Sequence, residues 1–296
     1  MDTRLAELLR LLELERLEVN IFRGESRDVG SPQVYGGQVL GQALKAAYAT
    51  VEGSRVVHSL HAYFLRRGDF NAPIVYFVDR SRDGHHFVSR RVTAIQHGEQ
   101  IFNLSASFQA PEPGLDHQAS LPDVPMPEDL PDSVPMPPEQ FARLPQRLQQ
   151  FVNERPVQFR AVPPEAMAGR PGGLSQALWM RAVDRLPDDD TLHRCLLAYA
   201  SDFYLLSAAM IPHYTAMATG TMVIASIDHA MWFHRPARMD EWLLYATDSP
   251  SASGARGFAR GSIYRRSGQL AASTAQEGLI RLVPPQAGAG SGFRAA

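Results

Sequence analysis

A single cysteine, Cys195, excludes an internal disulfide and any multi-cysteine metal cluster. Charge of one sign is not in excess either. Lys and Arg number 29 against 31 Asp and Glu, a formal charge of -2, so there is no overall electrostatic case for nucleic acid. An anionic ligand must therefore be met by local positive charge. Nowhere do about 18 apolar residues follow one another, which argues against a spanning helix and stable membrane insertion. The N-terminus, MDTRLAELLRLLELERL, sets Asp2, Glu7, Glu13 and Glu15 among its leucines and does not read as a signal peptide. The C-terminus, GSGFRAA, carries no lipidation or peroxisomal address, and a cytoplasmic location is expected. Also missing are a Gly-x-Ser-x-Gly elbow, a GxGxxG or P-loop, and HExxH. His58, His61, His229 and His234 show no ligand spacing, so neither metal nor cofactor is expected.

What is present is a hydrophobic fraction of 45% in 296 residues, enough for one large domain or two ordinary ones. Leu5, Leu8, Leu9, Leu12 and Leu17 recur at spacings of three to five and predict an amphipathic helix, laid against a domain or a partner. An extended segment, Val19 to Arg23, follows. Gly36, Gly37 and Gly41 punctuate an Ala-rich helix starting near Gly37. From Arg55 to Ala110, VVHSLHAYFL, APIVYFVDRS, HFVSRRVTAIQ and QIFNLSASFQA read as four strands with short turns, hence antiparallel neighbours. Ten prolines between Pro111 and Pro145 preclude a central strand or long helix and predict a stiff linker, with a short helix around Glu139 to Phe151. Strands are expected at Val157 to Arg160 and Gln176 to Ala182, a helix from Thr191 to about Leu206, and strands at Met222 to Phe233, Glu241 to Thr247, Ala255 to Tyr264 and Gln269 to Arg281. The units so defined are 1–112, a proline-rich linker 113–152, 153–283, and a disordered tail 284–296.

A constant offset of 169 pairs the two strand sets without a gap: Phe64 with Phe233, Arg66 with Arg235, Tyr76 with Tyr245, Asp79 with Asp248, Arg91 with Arg260 and Ala106 with Ala275. This points to two copies of a helix-plus-sheet unit joined at a sheet edge. Polar residues are unequally shared. Ser226 falls opposite Val57, Asp228 opposite Ser59 and Gln276 opposite Ser107, so chemistry is expected in the second copy. Asp202, in the apolar run LLAYASDFYLL, is either a surface or capping Asp or a buried carboxylate with a raised pKa, fit to act as a general base for water. Ser226 and Gln276 either satisfy the core or position that water. Arg66, Arg235, Arg91 and Arg260 brace the copies or meet phosphates. Arg90 and Arg256, at unpaired positions, are the freer candidates for ligand phosphates. Cys195 lies in an apolar helix and is expected to be inert.

VYGGQVLGQAL, HSLHAYFLRRGD, ASFQAPEPGLDHQ, LLAYASDFYLL, IASIDHAMWFHRP, SASGARGFARG and STAQEG, in this order between about Leu8 and Arg281, resemble the acyl-CoA thioesterase II family, the double hotdog thioesterases. The resemblance implies an α+β fold of two tandem hotdog units, each an antiparallel sheet curled around a central helix. It implies hydrolysis of medium- to long-chain acyl-CoA to fatty acid and CoA, and a homo-oligomer, for which the leucine-rich helix offers a contact surface. The family's catalytic Asp, hydroxyl residue and Gln match Asp202, Ser226 and Gln276. Ser226 departs from the Thr of well-known members, keeping the hydroxyl without the methyl. On this reading Asp202 activates water, backbone N–H groups of Gly36 and Gly37 polarise the carbonyl, and Phe203, Tyr204 and Trp232 line the acyl tunnel. Two rivals stand beside it: a hydratase or dehydratase on the same fold, which needs an Asp/His pair, and a non-catalytic acyl-CoA-binding protein.

Overall fold

The computed structural model describes residues 1–31, 33–132, 138–142, 144, 146–167, 176–213, 221–283 and 293–295. The first copy contains α1 (Thr3–Leu12), the hairpin β1 (Glu15–Glu18) and β2 (Ile21–Gly24), α2 (Gly36–Tyr48), and β3 (Val56–Phe64), β4 (Ile74–Asp83), β5 (Phe87–Gln96) and β6 (Glu99–Gln109). The linker carries α3 (Pro138–Ala142) and α4 (Gln146–Asn153), two helices where one was expected. The second copy has β7 (Val157–Ala161), β8 (Gln176–Ala182), α5 (Asp190–Ser201), α6 (Ser207–Met210), β9 (Thr221–Ser226), β10 (Asp228–Phe233), β11 (Leu243–Ser253), β12 (Arg256–Arg265) and β13 (Leu270–Val283), followed by β14 (Phe293–Ala295). Of the tail expected to be disordered, 284–292 and 296 lie outside the described residues. Phe293–Ala295, by contrast, pairs in parallel with Met222–Ile224, because β9 has an edge free for it.

Among the described residues these strands form one sheet, ordered β1-β2-β4-β5-β6-β3-β10-β13-β12-β11-β8-β7, with β9 also on β13. The copies join through the antiparallel pair β3–β10, in which Tyr63 faces Asp228, His61 faces Ala230 and Ser59 faces Trp232. His61 and Ala230 are counterparts at the offset of 169, so a pseudo-dyad passes between them. Joining here satisfies the ladder groups of both edges. The central helices α2 and α5 pack against each other inside the curled sheet, and one apolar core runs through both copies. Their close approach follows from Gly37 and Gly41. A Cβ on Gly37 would strike the Tyr199 carbonyl, and one on Gly41 would stand 3.1 Å from Leu12 Cδ2 and 3.3 Å from the Cys195 carbonyl.

Three sequence expectations need correcting. The apolar face of α1 is buried within the chain at Leu5, Leu8, Leu11 and Leu12, against α2, so it is not a surface left for a partner. The repeat is also not gapless. Arg90 pairs with Ala106 in the first copy, while Ala259, its counterpart, pairs with Gln276 in the second, so β6 and β13 are related by 170. The turn before them explains the slip. His97 and Gly98, both at positive φ, make a two-residue turn, whereas Arg266, Ser267 and Gly268 make a three-residue one with positive φ only at Gly268. Ala106, not Ser107, therefore stands where the second copy has Gln276. Thirdly, Met222 to Phe233 is not one strand.

The linker is pinned along part of its length. Val124 and Leu130 pack with Trp179, Trp242 and Leu244 on the outer face of the sheet, and Trp179 Nε1 donates to the Pro125 carbonyl at 2.9 Å.

Candidate active site

β9 and β10 both pair with β13, but Ser226 faces Gly278 while Ala230 faces Ala275. Four steps on one strand against three on the other make a β-bulge at Ile227. An unbroken strand would turn Ser226 and His229 to opposite faces. The extra residue brings both beside Gln276, whose Nε2 lies 3.1 Å from Ser226 Oγ and 3.4 Å from His229 Nδ1. The first copy bulges at the same place, His58, yet its counterparts to Ser226, His229 and Gln276 are the buried apolar Val57, Leu60 and Ala106. The second copy alone holds the polar set.

Asp202 is not mid-helix, as the apolar run suggested. It follows the last helical residue, Ser201, and Tyr204 at φ 60 then turns the chain away. Side chains satisfy the terminal carbonyls that helix geometry leaves over. Tyr35 Oη donates to the Tyr199 carbonyl at 3.1 Å, Tyr245 Oη to that of Ser201 at 2.9 Å, and Ser201 Oγ to that of Ala198 at 2.9 Å. The Asp202 carboxylate accepts from Gln276 Nε2 at 2.9 Å and from the Gly37 backbone N–H at the start of α2. A Cβ on Gly36 would stand 2.7 Å from Asp202 Oδ2, so glycine there leaves the carboxylate its place. Burial raises the Asp202 pKa above its ordinary value, against the lowering effect of the Gln276 and Gly37 bonds. The negative end of α5 disfavours this charge and the positive end of α2 favours it.

Asp202 and Ser226 line a cavity of about 370 Å³ between the copies. Val39, Phe64, Ile101 and Phe102 come to it from the first copy, Leu206 and Ile224 from the second, and Phe151 from the linker helix α4. Gln276 Oε1 is buried without a hydrogen-bond partner among the described residues. A carboxylate, a hydroxyl and an amide beside an apolar cavity can hold a water next to an apolar substrate and take its proton.

The other expected site residues fall elsewhere. Trp232 is on the outer face of the sheet, edge-on to His61 with ring centroids 5.2 Å apart, lining a separate cavity with Asp248 and Arg260. The bulge reverses the side on which an unbroken strand would place it. Phe203 packs with Tyr35, Phe151 and Phe159, and Tyr204 with Phe159. Both stand behind the Asp202 cavity, not in its lining. Arg90 is buried and committed. Nε donates to Thr50 Oγ1 at 2.8 Å, Nη1 to the Arg82 and Ser89 carbonyls at 3.1 and 2.9 Å, and Nη2 to the Thr50 carbonyl at 2.9 Å and to Asp83. All five donors are used, so none is left for a phosphate. Arg256 is exposed and paired with Glu277 at 2.9 Å. Gly37 turns its N–H toward Asp202 and is the less free of the two glycines for a substrate carbonyl. Cys195 is buried, and burial pushes its thiol up to about 12. His58 and His234 bond Ser107 and Ser273 at 2.8 and 2.9 Å. Sequence reasoning missed Ser201 and Phe151 and left His229 without a role, since a bulge and a linker helix folding back leave no spacing signal.

A family model for acyl-CoA thioesterase matches residues 147–279, and one for the acyl-CoA thioesterase N-terminal domain matches 24–109. Acyl-CoA thioesterase 2 of Haemophilus influenzae is 43% identical over 283 residues, spanning 95% of this chain and 99% of its own length. Acyl-coenzyme A thioesterase 8 of Homo sapiens is 40% identical over 294 residues, spanning 96% and 91%. The crystal structure of an acyl-CoA thioesterase II, TesB2, from Mycobacterium marinum superposes with a TM-score of 0.80 at 43% identity, covering 94% of this chain and 98% of that one. With both copies matched and the likeness running nearly end to end, the chain belongs to the acyl-CoA thioesterase II family of double hotdog enzymes.

Proposed function

We propose that Asp202, Ser226 and Gln276 hold and activate the water by which this enzyme works. The chain is an acyl-CoA thioesterase that hydrolyses acyl-CoA to a free fatty acid and CoA. The water donates one hydrogen to Asp202 and attacks the thioester carbonyl carbon. Its oxygen forms the new C–O bond as the proton passes to Asp202. The tetrahedral intermediate then breaks its C–S bond, and the departing thiolate takes the proton from Asp202, which restores the base for the next turnover. The observation that carries this reading is Gln276 Nε2 bridging Asp202 Oδ1 and Ser226 Oγ at 2.9 and 3.1 Å beside the apolar cavity. The raised Asp202 pKa suits a base, because a poorly solvated carboxylate seeks the proton more strongly.

In this reading the carbonyl-polarising role stays with Gly36 at the α2 N-terminus, while Gly37 supports the base. Medium- to long-chain acyl groups lie along Val39, Phe64, Phe102 and Phe151, and the exposed Arg256 is the freer of the two arginines for CoA phosphates, since Arg90 is buried with every donor used. The organisation proposed is two hotdog units, 1–112 and 153–283, each with its helix, bridged by 113–152. Self-association is supported by Tyr63, Phe77 and Phe87, exposed on the outer face of the sheet. The free, buried Cys195 thiol fits a cytoplasmic enzyme. The hydratase alternative is disfavoured because both His229 ring nitrogens face protein groups, Gln276 and Ser201.

Thiol release from acyl-CoAs of increasing chain length tests this reading. Asp202→Asn is expected to lose turnover, by about a hundredfold or more, with an unchanged circular dichroism spectrum. Near-normal hydrolysis by that variant sinks the assignment.

A further inference from the structure

His229 is buried, at 1% exposure, and the water-activating set above makes no use of it. A buried imidazole needs partners for both nitrogens. Ser201 Oγ has one hydrogen, and the Ala198 carbonyl, which can only accept, takes it at 2.9 Å. Ser201 Oγ must therefore accept from His229 Nε2, also 2.9 Å away. That places the proton on Nε2. Burial holds the ring neutral at ordinary pH, with a pKa pushed down to about 3. Nδ1 then carries a bare lone pair, and the group facing it, at 3.4 Å, is Gln276 Nε2.

A Gln amide can turn over, exchanging its donor end for its acceptor end. At Gln276 the outcome matters, because only the donor end can bridge Asp202 Oδ1 and Ser226 Oγ, while Oε1 remains as an acceptor. Asp202 cannot be the sole guardian of this orientation, since its own proton content changes as it serves as base. A carboxyl that has taken the water's proton tolerates Oε1 opposite it. A bare His229 Nδ1 does not, because two lone pairs would then face each other.

From this geometry we infer that His229 is a positioning residue, locked by Ser201 in the Nε2–H tautomer so that its Nδ1 keeps the Gln276 amide donor-first toward Asp202 and Ser226 throughout turnover. The inference rests on the proposed roles of Asp202, Ser226 and Gln276. It adds a three-part chain, from the last turn of α5 through β10 to β13, behind them.

The test is steady-state kinetics on the full chain, with palmitoyl-CoA as probe, for His229→Leu, His229→Gln, His229→Asn and Ser201→Ala beside Asp202→Asn. An Asn amide sets its oxygen near the place of Nδ1, and a Gln amide reaches only the place of Nε2. His229→Leu and His229→Gln are expected to lower kcat by about ten- to a hundredfold with KM little changed, the cost of a misplaced catalytic group. His229→Asn should recover most of that loss, and Ser201→Ala should lower kcat in the same sense. If His229→Leu fails to fold, the Asn and Gln variants and Ser201→Ala carry the comparison. Equal kcat for Asn and Gln, or wild-type kcat in folded His229→Gln and Ser201→Ala, overturns the inference. A fully active Asp202→Asn would instead bring down the underlying reading. Independently, 15N spectra of histidine-labelled protein, assigned by difference with His229→Asn, should show Nε2 protonated and Nδ1 bare. An Nδ1–H tautomer refutes the proposal.

Discussion

Asp202 and Arg90 both carry charge where water is scarce, and they are handled in opposite ways. Arg90 has a hydrogen-bond partner for each of its five donors, on α2's following turn, on β4 and on β5. Its removal strands the Thr50 carbonyl, while the Thr50 hydroxyl keeps the Ala47 carbonyl as its acceptor at 2.8 Å. Arg90→Ala should lower unfolding free energy in urea by about 2–4 kcal/mol, with KM for acyl-CoA unchanged in the folded fraction. A weakened KM at unchanged stability would restore Arg90 to the substrate. Asp202 is incompletely compensated, and its raised pKa means that ionising it works against folding. The sign is direct. With the folded pKa above the unfolded one, the stability linked to this group is present below the ordinary Asp pKa and lost as pH rises through the folded value. Asp202→Asn should therefore melt no lower than the wild type at pH 7 by calorimetry, while being inactive. That is the pattern of a site strained for function. The same shift places the acid limb of kcat/KM above the ordinary Asp value.

Helices α2 and α5 set the next scale. Gly37 allows α2 to lie against the Tyr199 carbonyl, and the same residue gives its N–H to Asp202. A methyl group there pushes the helices apart and withdraws the donor together. Gly37→Ala should cost about 1–3 kcal/mol by denaturant titration and lower kcat as well. Gly41→Ala, whose Cβ would crowd Leu12 Cδ2 at 3.1 Å and the Cys195 carbonyl at 3.3 Å rather than strike a carbonyl outright, should lose less stability and little activity. Equal effects of the two substitutions on kcat would contradict the link between Gly37 and the base. The strands show how little local change separates a copy with a polar set from one with an apolar set. Both copies bulge at the same point of the strand, β3 and the β9–β10 pair, and they differ in what the bulge presents: Val57 and Leu60 in one, Ser226 and His229 in the other.

At the scale of the whole molecule the cavity is a joint product. Its walls come from both copies and from α4 of the linker, and Asp202 stands between the start of one copy's helix and the end of the other's. Acid should act on this shared interior. His229 stays neutral in the fold down to about pH 3, whereas the unfolded chain takes up its proton near 6.5. A folded pKa below the unfolded one contributes stability above pH 6.5 that is lost as pH falls toward the folded value, by up to about 1.4 kcal/mol per pH unit. Burial lowers the pKa of His58, His193 and His234 in the same direction, and Asp202, whose pKa is raised, opposes it. Urea midpoints should fall between pH 6.5 and 4.5, and less steeply in folded His229→Asn. An unchanged slope in that variant would show that His229 is charged in the fold.

Much of this protein was legible in one dimension because its causes are local or repeat along the chain. Alternation and turn residues located β3 to β6 and β11 to β13, since strand period and turn chemistry are properties of neighbouring residues. The offset of 169 announced two copies, and the family motifs carried Asp202, Ser226 and Gln276. The rest depended on what lies across the fold. The bulge at Ile227, the end of α5 at Ser201 and the capture of Arg90 by Thr50 each involve partners far apart in sequence, and the extra residue in the turn before β13 shows only once the registers of the two copies are compared. Periodicity assigns a side chain to a face only while the register is unbroken, and a single bulge reverses every assignment beyond it. The kinds of residue available for chemistry were thus determined by the sequence itself. Which of them share one cavity, and which donor meets which acceptor, was decided only when β13 paired with both β9 and β10, because hydrogen bonding acts over about 3 Å of space whatever the distance along the chain.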